Sequence, residues 1–233
     1  MNTMANDLIH CPGDHPETRC VEGDHPSVLD DIFRADIDIV IWKRGLAEDL
    51  ALELKDLDLS RFDSAVSTLV TTQVSPLSIV KQLRDLFDAP LLAWDIAYLS
   101  RQFLSLFQLD QARLKLTSLD RTMCPRFHVD RVPCRLVTTY RGMGTEWLPH
   151  HVVDRSRLGP GAQGKPDHQS GVYRDNDDIQ RLSKGDIALI KGKLWPTAGN
   201  LGQVHRSPVA RPGESRLLLT LDFVESENES EFD

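Results

Sequence analysis

Cysteine is scarce: 233 residues contain four, Cys11, Cys20, Cys124 and Cys134, too few for disulfides to carry the fold. Stability therefore has to come from an apolar core, and in a reducing cytosol all four are expected as thiols. Positive charge is in deficit as well. Lysine and arginine total 27 against 35 acidic residues, a formal net charge of −8, which argues against a general attraction to nucleic acid or to an anionic membrane. No apolar run approaches the length of a membrane span, and the opening MNTMANDLIH lacks a cationic leader followed by an apolar stretch. These absences point to a cytoplasmic globular protein. Composition names neither its substrate, a small molecule or a protein, nor its oligomeric state.

With 40% hydrophobic and 27% charged residues, the chain has the balance of one substantial core. The expected organisation is a flexible segment over residues 1–26, a single domain over 27–224 and an acidic disordered tail over 225–233. Ser27 with Asp30 three residues on predicts a capping box and a short helix through Phe33. IDIVIW, residues 37–42, reads as a buried strand and LAEDLALELKDL as a helix. Ser75-Pro76 places serine at a cap and proline in a first turn, with Ile79, Leu83 and Leu86 along one side. Between Asp88 and Gln108, Leu92, Ile96, Leu99, Phe103 and Leu106 recur at helical spacing, and Trp94 and Tyr98 widen that apolar face. From Leu114 strands take over, in CRLVTTY, KGDIALIKG and RLLLTLDF. Helices followed by strands with Gly and Pro turns predict an α+β fold, a sandwich or jelly roll buttressed by N-terminal helices.

The chemistry is concentrated in four residues. His128 and Asp130 stand in FHVD, His205 in VHRSP, and Arg216 heads RLLLTLDF. Two imidazoles and one carboxylate hold Fe(II) on one face and leave the opposite positions open. Arg216 follows His205 by 216 − 205 = 11 residues and offers a planar fork for a carboxylate. If CPRFHVD is a strand, His128 and Asp130 leave the same face, and Phe127 and Val129 point to the other, under a helix layer. A hairpin centred between Ala210 and Arg211 would set His205 directly across from Arg216. Singly, each element is more often a solvated face or a packing pair; their order and offset make the case for a shared metal site.

In this order the four residues resemble the double-stranded β-helix oxygenases that use Fe(II) and 2-oxoglutarate. Over about Asp31 to Phe223, the segments CPRFHVD, RLVTTYRGMGTEWLP, GDIALIKG, VHRSP and RLLLTLD also resemble an uncharacterised bacterial family, a domain of unknown function. The oxygenase resemblance implies a cupin-like core with His128, Asp130 and His205 on Fe(II) and Arg216 on the distal carboxylate of 2-oxoglutarate. It implies oxidative decarboxylation of that cosubstrate coupled to hydroxylation of a C–H bond. Many such enzymes place a serine two residues after the arginine, where this chain has Leu218. Thr220, or Tyr140 and Thr138 from the strand after the His-x-Asp pair, are candidates to serve instead.

Two other readings use the same ligands. One is a zinc-binding protein of metal homeostasis without catalysis, since imidazole and carboxylate suit zinc equally; the other is a cupin-like metal hydrolase or isomerase. Cys124 shares a strand face with His128 but lies about 13 Å along it, too far to ligate the same ion without a bulge. Cys134 is less excluded, because Val132-Pro133 can bend the chain. Gly13-Asp14-His15-Pro16 and Gly23-Asp24-His25-Pro26 form a small echo whose Cys and His could clasp zinc. Its spacing fits no finger pattern, and its Gly, Asp and Pro favour turns. Finally, the irregular stretch at about 142–181 has the length of a lid, and its Trp147, His150, His151 and Arg155 are candidates to grip a substrate.

Overall fold

The computed structural model describes residues 19–59, 65–83, 89–196, 201–211 and 213–224. A seven-stranded sheet contains β1 (Cys20–Gly23), β2 (Ile39–Trp42), β3 (Val66–Thr71), β4 (Gln111–Leu119), β5 (Cys134–Arg141), β8 (Ile187–Lys191) and β10 (Arg216–Phe223). They are ordered β1-β2-β8-β5-β10-β4-β3. The second sheet is small: β6 (Glu146–Trp147) lies between β7 (Gln180–Arg181) and β9 (His205–Arg206). A single antiparallel bridge, His128 to His205, extends it beyond β9.

Counting that bridge as a strand, the chain from β4 onward runs large, small, large, small, small, large, small, large. The large sheet takes the order β8-β5-β10-β4 and the small one β7-β6-β9-His128. Eight strands passing between two four-stranded sheets, with one hairpin (β6–β7) inside the small sheet, make a double-stranded β-helix, a cupin-like jelly roll. With the helices on one side, the fold is α+β.

The central strands are buried on both faces, so each alternate set of side chains has its own core. On β10, Leu217, Leu219 and Leu221 meet α3 (Pro90–Leu106) through Leu92, Ile96, Leu99 and Phe103, all at most 1% exposed. Truncating a side chain such as Phe103 there costs about 3–5 kcal/mol. Leu218 faces the other way, into a second cluster between the sheets with Ile39, Val137, Trp147 and Ile190. A third cluster, Phe127, Leu148, Val172, Tyr173 and Val204, covers the outside of the small sheet.

Helices α1 (Glu48–Asp56) and α2 (Pro76–Gln82) form where expected, and Ser75 caps α2 in a reciprocal box with Ser78. Several expectations are corrected. The helix at Pro26–Phe33 is a 3-10 helix capped by His25 rather than Ser27, because the His25 ring accepts from the Ser27 amide. Cys20–Gly23, within the segment expected to be flexible, pairs in parallel with β2 and buries Cys20 and Val21. Cys20 is disulfide-bonded, whereas Cys124 and Cys134 are free thiols. Trp94 is 58% exposed, outside the core, whereas Tyr98, on which it stacks, packs against the core as expected. The stretch 142–181 is no loose lid: it contributes β6 and β7, several 3-10 turns and α4 (Asp167–Ser170). Gly13–Pro16, Leu86 and the acidic tail lie outside the described residues. Among the described residues, no helix is long and apolar enough to cross a membrane.

Candidate metal centre

His128 and His205 each donate an amide hydrogen to the other's carbonyl at 3.0 Å. Directly paired residues on neighbouring strands project to the same side, so this one bridge brings the two rings together, centroids 4.7 Å apart. Each ring is oriented by a carbonyl behind it: His128 Nδ1 lies 2.8 Å from Arg126 O, and His205 Nδ1 lies 3.1 Å from Gln203 O. In a neutral ring with its proton on Nδ1 the Nε2 lone pair turns toward Asp130, as metal-binding histidines require, whereas a protonated ring donates from Nε2 to that carboxylate.

Asp130 closes the triangle. Its Oδ1 lies 3.4 Å from His128 Nε2 and its Oδ2 lies 3.2 Å from His205 Nε2. Neighbouring ligands about 2.1 Å from one ion stand about 3.0 Å apart, so the three groups fit a single divalent cation. Burial alone would raise the Asp130 pKa, but hydrogen bonds from both histidines and the charge of Arg135 hold it far below the usual carboxylate range. The hydrogen bond to Asp130 raises that of His128.

Arg216 stands in the same cavity, whose lining includes His128, His205, Arg135, Thr145, Thr220 and Arg216. It is 7% exposed. Its Nη2 donates to Thr139 Oγ1 at 3.1 Å and Thr145 Oγ1 at 2.8 Å, its Nη1 reaches Ser207 Oγ at 3.5 Å, and its Nε has no partner. Among the described residues no carboxylate pairs with it. Burial lowers its pKa to about 10, so it remains a cation at neutral pH.

The expected hairpin is not how Arg216 reaches the site. His205 pairs with Trp147 in the small sheet and Arg216 with Leu119 in the large one, so the two face each other across the sandwich. Nor does FHVD form a regular strand. Phe127 is covered by the third cluster and Val129 packs against it, rather than under the helices of the large sheet.

Thr220 faces the cavity as expected, but Tyr140 and Thr138 do not. Both point to the helix side of β5, where the Tyr140 hydroxyl donates to Asp95 Oδ2 at 2.7 Å, and the Thr138 hydroxyl is buried without a partner. The residues of that strand that reach the site are Arg135, Val137 and Thr139. Alternation along RLVTTY separates the two sets without saying which faces inward. Trp147 is 3% exposed in the core between the sheets. His150 turns to Asp38, its Nδ1 3.4 Å from Oδ2, while Arg155 donates to Leu201 O at 2.8 Å and Gly202 O at 2.7 Å. His151 is exposed, and none of these four lines the cavity. Cys124 does line it but stands outside the ligand group; Cys134 is fully buried, and burial pushes its thiol pKa up.

No curated protein matches the chain in sequence. Among solved structures it is similar to dioxygenase for auxin oxidation 1 from Arabidopsis thaliana in its 2-oxoglutarate complex. That similarity has 11% identity, a TM-score of 0.47, and covers 89% of this chain and 92% of that one. It is also similar to a Pseudomonas putida prolyl-4-hydroxylase, with 13% identity, TM-score 0.41, and 86% and 94% of the two chains covered. A Bacteroides fragilis cupin shares 11% identity at TM-score 0.27, covering 52% of this chain and 76% of that one. At such scores the strand order, not the overlay, defines the fold. Residues 23–222 match the family described as Protein of unknown function (DUF1826), and the chain belongs to that family.

Proposed function

We propose that this chain is a non-haem Fe(II)/2-oxoglutarate-dependent oxygenase that hydroxylates an organic substrate. The observation that carries the reading is Arg216, a buried cation held by three hydroxyls, with one nitrogen unpartnered, in the cavity that the metal ligands line. A buried guanidinium held only by neutral hydroxyls is costly, and an anion beside it would offset that cost. Imidazole and carboxylate groups in one part of the cavity and an unmatched arginine in another suit a keto dicarboxylate, bound to the ion through its keto acid and to Arg216 through its distal carboxylate.

His128, Asp130 and His205 would hold Fe(II), which when bound supplies oxygen activation coupled to decarboxylation of the cosubstrate. The chain's own part is orientation. The Arg126 and Gln203 carbonyls fix the two rings, and Thr139, Thr145 and Ser207 fix the guanidinium. A zinc store would use the same ligands but has no need of a buried arginine in the same cavity.

The test is to load the metal-free protein with Fe(II) under nitrogen and titrate 2-oxoglutarate. A visible charge-transfer band is expected, and Arg216→Met should move its appearance to much higher cosubstrate concentration. Tight zinc retention with no band in the wild-type protein would overturn the oxygenase reading.

A further inference from the structure

Arg135 stands in the wall of the metal cavity on β5. Directly across the strand pair is Asp222 of β10, 9% exposed, and Arg135 grips it at both oxygens, Nε to Oδ1 at 2.7 Å and Nη2 to Oδ2 at 2.9 Å. A planar fork seated on a carboxylate keeps little rotational freedom, so the remaining nitrogen, Nη1, is fixed in space. It donates to Asp130 Oδ2 at 2.6 Å. A purely structural ion pair would be complete with Asp222 and would need no third contact.

Both Asp130 oxygens face a histidine Nε2, so the carboxylate can reach an ion through one oxygen or through two. The count matters. An octahedral ion with three protein contacts keeps about three open positions, enough for a chelating keto acid and one molecule of oxygen. A second Asp130 oxygen on the ion would remove one of them.

We propose that Arg135, anchored by Asp222, is a positioning residue that holds Asp130 to one-oxygen ligation and so preserves an open position on the metal. The proposal rests on the oxygenase reading for its purpose. Its geometry rests on the ion pair alone. Lysine cannot replace arginine here, since one ammonium cannot seat on both Asp222 oxygens and reach Asp130 in the same plane.

The experiment counts waters on Mn(II) bound to the full-length chain, by water-proton relaxation. The wild-type protein is expected to keep about three exchangeable waters. Arg135→Gln combined with Asp222→Asn removes both charges, so neither is left buried alone, and is expected to keep about two. Arg135→Lys should follow it. In Fe(II)-loaded protein, both variants should lose on the order of tenfold in oxoglutarate-dependent oxygen uptake, with the oxoglutarate KM little changed. Equal water counts in the wild type and both variants would overturn the proposal. A wild-type protein that binds Mn(II) with the expected count but shows no charge-transfer band overturns only the oxygenase reading.

Discussion

Gly142 lies so close to Arg216 that a Cβ on the glycine would stand 3.0 Å from the arginine Cα and 3.0 Å from Ser215 O. The glycine also holds φ at +85°, a conformation that residues with a side chain adopt at a cost. It follows the point where β5 slips against β10, between the pairs Leu217↔Arg141 and Leu218↔Thr139. Gly142→Ala should therefore destabilise the protein by about 1–3 kcal/mol in urea denaturation. It should also weaken 2-oxoglutarate binding more than Mn(II) binding, because it displaces Arg216 and leaves the His128–His205 bridge in place. Equal weakening of both would separate Gly142 from Arg216.

Adjacent residues on β5 should behave in opposite ways. Thr139 faces inward and accepts from Arg216; Tyr140 faces the helices and donates to Asp95. Thr139→Val should raise the 2-oxoglutarate Kd by about ten- to a hundredfold, on the order of one hydrogen bond to a charged partner. Tyr140→Phe should lower stability by about 1–3 kcal/mol and leave that Kd alone. Isothermal titration beside thermal melts reads both, and a cosubstrate defect in Tyr140→Phe would contradict the strand's orientation.

That contrast marks what the sequence could tell. His128 and Asp130 sit two apart and Arg216 follows His205 by eleven residues, so the order and offsets of the four together nominate the ligand set and the arginine. The inward face of β5 is another matter. The strand is buried on both sides, its polar residues occur on both parities, and the register slip at Tyr140 is invisible in the chain. The Arg135–Asp222 pair depends on strand register between residues 87 apart. Likewise, a nine-residue link between β9 and β10 reads as a hairpin, though the chain uses it to cross from one sheet to the other.

The triad also sets a pH dependence. The Asp130 hydrogen bond raises the His128 pKa above 6.5, so its contribution to the metal-free fold is full below about that pH and fades as pH rises through the higher folded value. Asp130 is lowered from 3.8, so its contribution is present above that pH and fades on acidification. The metal-free triad therefore stabilises most between these limits. A cation must displace the His128 proton, so its binding strengthens with pH. The rise in melting temperature caused by Mn(II) should be larger at pH 8 than at pH 6. A larger rise at pH 6 would remove His128 from the ligand set.

The segment that reads as a lid tethers the metal centre from outside. Asp167, in α4, accepts through a single oxygen, Oδ2, from the Phe127 amide at 2.9 Å and from Arg206 Nη1 at 2.9 Å. Phe127 precedes His128 and Arg206 follows His205, so one carboxylate oxygen ties together the neighbours of both imidazoles, and the Arg206 guanidinium lies 4.2 Å over the Phe127 ring. A lid and a tether predict different losses. A lid residue would alter substrate turnover and leave the empty metal site as it was. A tether sets the separation of the rings before any substrate arrives, so Asp167→Ala should weaken Mn(II) binding on the order of tenfold. Asp167→Asn, which keeps an acceptor for the Phe127 amide but loses the charge facing Arg206, should fall between. An unchanged Mn(II) affinity in a folded Asp167→Ala protein would return the segment to the role of a cover.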